Sequence, residues 1–178
     1  MRRTMRHLGA TAALALLAAL PARGADDNMY FHGALVAEPC VIPPGEELIE
    51  LDFGTVIDKY LYLNQRTHGQ PFQLHLAECD PAIGNSVTVT FNGVESTALP
   101  GLLALDGASQ ASGIAIGIET REGRPLPLGE PSLVLALSEG DNLLEFKAYV
   151  RGEPQAIASE AIARGPFSAV ATFSLEYE

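Results

Sequence analysis

Residues 165–178 read GPFSAVATFSLEYE. Phe167, Ala169, Ala171, Phe173, Leu175 and Tyr177 fall on one side of an extended chain, and Ser168, Thr172, Ser174 and Glu176 fall mainly on the other. A period of two is the signature of a half-buried β-strand. The stretch predicts a strong inward-facing strand with no partner following it in the sequence.

Upstream, the same short alternation recurs, punctuated by Gly, Pro, Asn and Asp. Residues 48–56 (LIELDFGTV), 71–79 (PFQLHLAEC), and the runs Val87/Val89/Phe91, Ile114/Ile116/Ile118, Leu133/Leu135/Leu137 and Leu144/Phe146/Ala148/Val150 each predict a strand. Asn92-Gly93 suits a tight hairpin turn. Pro43-Pro44-Gly45 and residues 121–131 read as loops, and no sustained 3.6-residue period appears after the leader. Several short strands in about 150 residues argue for an all-β sandwich of immunoglobulin type.

The other end carries a second stripe. In MYFHGALVAEPC, residues 29–40, the side chains of Met29, Phe31 and Leu35 share one face of an extended chain, with Gly33 as a notch among them. Before it, Arg2, Arg3 and Arg6 precede the Ala/Leu run 8–20, Pro21 and Ala22-Arg23-Gly24. This is the pattern of a secretory signal peptide over residues 1–24, and the run is too short to span a bilayer comfortably. Removing 24 of the 178 residues leaves 154, one domain of ordinary size. Arg2, Arg3, Arg6 and Arg23 leave with the leader and no acid does, so 7 basic residues face 22 acidic ones, a net charge of −15. Binding to nucleic acid or anionic lipid needs clustered Lys and Arg, which this chain lacks.

Cys40 and Cys79 are the two cysteines. In an oxidising compartment they predict a disulfide, worth roughly 4 kcal/mol for a loop of this length. There is no G-x-S-x-G, H-E-x-x-H, P-loop or G-x-G-x-x-G motif. His32 and His75 each alternate with apolar neighbours and face away from them, and His68 has no partner at ligand spacing. Glu46, Glu47, Glu50 and Asp52 read as an exposed strand face rather than as a glycosidase pair. The sequence predicts no enzyme, no metal, no cofactor and no small-molecule substrate.

Taken with their order and spacing, these stretches resemble the chaperone–usher pilins of Gram-negative bacteria, over residues 30–178. FHGALVAEPC resembles the pilin start, LHLAEC the segment of the second cysteine, and VTVTFNG followed by ALPG the middle of minor subunits. Pilins carry a glycine 14 positions from the terminus and a penultimate tyrosine, matched here by Gly165 and Tyr177. The resemblance implies an immunoglobulin-like sandwich, residues 37–178, that lacks its last strand. A groove beside the C-terminal strand, bordered by Gly165, Phe167, Ala169, Ala171, Phe173, Leu175 and Tyr177, would be filled first by a strand of a periplasmic chaperone. It would be refilled at the outer-membrane usher by the N-terminal extension of a neighbouring pilin subunit, a form of strand addition. Residues 25–36 would be this chain's own extension, with Met29, Phe31, Gly33 and Leu35 as donor residues, and the Glu178 carboxylate would be held by the chaperone. The destination would be an adhesive fimbria outside the cell.

The short extension is most similar to the minor adaptor and tip-fibrillum subunits of P-type pili. A terminator or anchor pilin would look almost the same. Outside the family, the alternative is a self-complete secreted binding module in which 29–35 closes its own sandwich. Cys40, only a few residues after the stripe, argues for a stripe that projects past the domain.

Overall fold

The structure, a computed structural model, describes residues 29–178. The expected signal peptide and residues 25–28 lie outside them. The chain divides into two units, Met1–Leu35 and Val36–Glu178. In the first, residues 29–35 form no strand, contrary to their alternation, and their side chains are exposed. A strand is a paired structure, and these residues have no hydrogen-bonded ladder to join.

In Val36–Glu178 the elements run α1 (Asp58–Asn64), β1 (Gln70–Cys79), β2 (Ser86–Gly93), β3 (Ile114–Thr120), β4 (Leu135–Ala136), β5 (Gly140–Gly152), α2 (Pro154–Ala158) and β6 (Ala171–Tyr177). Two antiparallel sheets form, in the orders β1-β5-β3 and β4-β2-β6. Register places Phe72 opposite Phe146 and Leu74 opposite Leu144 in the first sheet. It places Val89 opposite Leu175 and Phe91 opposite Phe173 in the second. Leu74, Leu76, Val87, Val89, Phe91, Leu144 and Phe146 from both sheets form one buried cluster. Phe91 binds the layers together, edge-on to Phe146 at 5.2 Å and to Phe72 at 6.1 Å between ring centroids. Offset and edge-to-face pairs of this kind add to the area they bury.

Cys40 and Cys79 form the expected disulfide, both buried. Val41 and Ala77 then exchange main-chain hydrogen bonds of 2.8 and 2.9 Å, pinning the start of the domain to β1.

The structure departs from the expected strands in physical detail. Residues 48–56 keep their alternation, with Ile49, Leu51 and Phe53 half-buried and Leu48, Glu50 and Asp52 exposed, yet no ladder forms. Of Leu133, Leu135 and Leu137, only the middle one lies in a strand, and the C-terminal strand starts at Ala171 rather than Phe167. Asn92-Gly93 is not a hairpin turn: both residues stay in β2, opposite Thr172 and Ala171. Gly93 is there for space, because a methyl group would overlap Leu103 and sit 3.1 Å from the Val170 carbonyl oxygen.

Both helices lie in stretches read without helical periodicity. At 7 and 5 residues they are too short to show a period, although Pro154 at the start of α2 is a start signal. The strand β3 is buried on both faces, not one. On its outer face the Tyr149 ring lies across Gly117, which has no side chain to obstruct it. Arg66 covers that ring at 3.6 Å and pairs with the buried Glu119 at 2.9 Å.

Candidate functional site

The residues singled out at the C-terminus do share one face. Phe167, Ala169, Phe173, Leu175 and Tyr177 are half-buried, while Ser168, Thr172, Ser174 and Glu176 are exposed; Ala171 is exposed as well. Half-burial is what an apolar strip has when one of its neighbours is missing. Facing the strip is a second wall that sequence reasoning did not assign to a site: Ile49, Leu51, Phe53 and Val56 from the unladdered segment. Its alternation was the available signal. Phe72, Phe91, Leu103, Ile116, Ile118 and Ala148 form the floor between the walls.

The space between these walls is a groove made of successive cavities. At the centre, about 210 Å³ lies over the floor against Ala169, Ala171 and Phe173. Phe173 is shared with a cavity running along Leu175 and Tyr177 past Glu38, Cys40 and Ile42. In the other direction, Leu51 and Phe53 lead to two more cavities along Phe167 and Gly165, ending at α1. Among the described residues, no main-chain hydrogen bond joins 47–56 to 167–177. β6 is paired on its β2 side only. Unpaired edges on both sides of an apolar trough are a template for an added strand.

The ends of the groove are fixed differently. Gly165 has φ +149°, and a methyl group there would come within 2.6 Å of Gln110 Cβ. A glycine is therefore required where the chain turns from 159–164 into the C-terminal wall. Next to it, Arg164 donates from Nε and Nη2 to Asp58 Oδ2, at 2.8 and 2.6 Å, tying the two walls together. The hydrogen bonds from Arg164 and from the Lys59 N–H hold the Asp58 carboxyl below its ordinary range. At the far end, burial raises the Tyr177 phenol, and the nearby Glu38 adds to the shift. The Glu178 main-chain oxygen accepts from the N–H groups of Asn85 and Ser86, at 2.8 and 3.2 Å. This fixes Glu178 beside Ser86, the first residue of β2.

The N-terminal candidates differ in kind. Met29, Phe31 and Leu35 are exposed, and a methyl group added at Gly33 would meet no atom within 4 Å. Neither packing nor an unusual φ calls for glycine at that position.

The histidines and carboxylates do not converge. His68 Nε2 meets the Tyr60 hydroxyl at 3.0 Å. His75 Nδ1 meets Glu46 at 2.8 Å and its Nε2 meets Asp141 at 3.6 Å. The hydrogen bond to Glu46, with a smaller contribution from Asp141, raises the His75 pKa. Glu47 and Asp52 accept the Gly45 and Gly54 N–H groups, each at 2.7 Å. No group of three His, Cys, Asp or Glu placed to hold a metal occurs among the described residues.

Comparison with known proteins places this geometry. The family model described as "Fimbrial protein" matches residues 29–178. Fimbria A protein of Serratia marcescens is 33% identical over 151 residues, covering 85% of this chain and 84% of that protein. The fimbrial adapter PapK of Escherichia coli is 31% identical over 176 residues, covering 94% of this chain and 97% of that one. Among solved structures, the P pilus rod subunit PapA superposes with a TM-score of 0.68 at 23% identity, over 79% of this chain and all of that one. A chaperone–usher pilus structure gives 0.67 at 24% identity, over 89% and 98%. These two likenesses show the fold, an immunoglobulin-like sandwich without its last strand.

Proposed function

Since the chain belongs to the fimbrial protein family, we propose that it is a minor structural subunit of an adhesive fimbria, assembled by donor-strand exchange. Its groove accepts a strand, and its residues 25–36 donate one. The observation that carries this reading is the open trough itself: an apolar floor between two walls with unpaired edges. A periplasmic chaperone covers the trough first, because an exposed apolar edge would otherwise aggregate. At the outer-membrane usher a neighbouring subunit's extension replaces it, and the chain takes its place outside the cell.

The donor residues fit that exchange. Met29, Phe31 and Leu35 each gain roughly 1.5–3 kcal/mol on burial. Gly33 is explained by the partner's groove, since its own surroundings leave room for a side chain. Once inserted, the strand belongs to a folded core, so release is as slow as unfolding. The chemistry is structural rather than catalytic. A minor adaptor role is supported by the likeness to PapK along nearly the whole of both chains.

The test is co-expression of residues 25–178 with the chaperone of the same assembly system. A one-to-one complex that exchanges with a synthetic pilin extension peptide is expected. A soluble, stable monomer without any chaperone would sink the proposal.

A further inference from the structure

The groove is apolar inside and acidic along its rim. Each of its cavities has a carboxylate in its lining: Glu38 at the Tyr177 end, Glu47 at the centre, Asp52 and Asp58 toward Gly165. Among the described residues that line it, Arg164 is the one cation, and it is already taken by Asp58. Glu47 and Asp52 are satisfied only by main-chain N–H groups, which leave their negative charge facing solvent beside the trough. Glu50 and Glu176 are exposed on the same two walls. A cleft rimmed by one sign of charge steers and selects its occupant, and like charges brought against it are rejected.

We propose that the occupant of this groove is an electropositive strand from a different subunit, apolar at every second position and carrying Lys or Arg between. This rests on the groove being an acceptor. A strand seated in the trough points its apolar side chains at the floor. The alternate ones then point outward between the walls, within reach of the rim carboxylates. A second copy of this chain is the mismatched donor: residues 25–36, ADDNMYFHGALV, hold Asp26 and Asp27 and no Lys or Arg. The rim therefore disfavours self-polymerisation and directs the chain to be followed by another kind of subunit.

The experiment uses the chaperone complex of the mature chain and three synthetic peptides at pH 8. One has the sequence of residues 25–36, the second carries Tyr30→Lys, His32→Lys and Ala34→Lys, and the third carries Glu at those three positions. At about 50 mM salt, where surface charges are weakly screened, the lysine peptide should enter at least about tenfold faster than the unaltered one, a gain typical of electrostatic steering. The glutamate peptide should enter most slowly. At about 0.5 M salt the differences should shrink to roughly twofold. Glu47→Lys with Asp52→Lys, both at exposed positions, should abolish the preference. Equal or faster entry of the unaltered peptide at low salt would overturn the charge rule while leaving the acceptor reading intact. Entry of none of the three would overturn the acceptor reading, and this inference with it.

Discussion

Phe173→Ala separates an acceptor groove from an ordinary core. Phe173 is half-buried, sits opposite Phe91 in the β2–β6 register, and lines both the central cavity and the one leading to Tyr177. Complete burial of a phenylalanine side chain is worth up to about 3 kcal/mol. Half of that is already realised without a partner, so an incoming strand gains about 1.5 kcal/mol by covering the rest. Alanine forfeits this gain, and 1.4 kcal/mol is a factor of ten. The assay loads the groove with a fluorescent extension peptide and chases it with unlabelled peptide. Release from the variant should be about tenfold faster, because interface changes act mainly on dissociation. Ser174→Ala, one residue along and exposed on the other face, should release at the parent rate. Loss of urea resistance in Phe173→Ala with an unchanged release rate would refute the reasoning and make Phe173 a core residue only.

Four further outcomes are expected. Replacing Cys40 and Cys79 together with serine should lower stability by about 4 kcal/mol through the freed 39-position loop, read as the urea midpoint of the chaperone-bound or peptide-filled protein. Gly33→Leu should leave the chaperone complex intact while blocking donation, seen as failure of the variant to join the subunit whose groove it would fill in a reconstituted assembly; normal assembly would remove the notch argument. Gly165→Val should impair folding, because its φ and the approach of Gln110 both exclude a side chain, and circular dichroism and thermal melting report it. His75 has a folded pKa raised by Glu46 and Asp141, so its contribution is fully present below the unfolded value of about 6.5 and is lost as pH rises through the folded value. Melting temperature should therefore lose a component on going upward from about pH 6.5, and His75→Gln should flatten that slope.

The alternating faces of β1, β2, β5 and β6 were legible because a period of two follows directly from strand geometry. The disulfide followed from an oxidising destination and a count of two cysteines. What could not be read depends on partners. Residues 48–56 have the periodicity of a strand, but among the described residues no main-chain ladder forms along them. Gly93 reads as a turn residue in isolation, whereas its purpose, clearance for Leu103, is a long-range fact. The outer face of β3 looks polar-to-small in sequence, yet Arg66 and Tyr149 arrive from other elements and bury it. At the candidate site one wall was legible and the opposite one was not, since 49–56 and 167–177 face each other across the groove although more than a hundred residues separate them. The Asp58–Arg164 tie across the groove is invisible for the same reason.

The position of the disulfide has a mechanical consequence. Tension applied through residues 25–36 enters the domain and reaches Cys40 within a few residues. There the covalent path divides, and the short branch runs through the sulfur bridge into Cys79 at the end of β1. Residues 41–78, including the groove wall at 47–56, lie inside the loop that the bridge closes. Force entering at Cys40 therefore reaches β1 through the bridge without first stretching the backbone of residues 41–78.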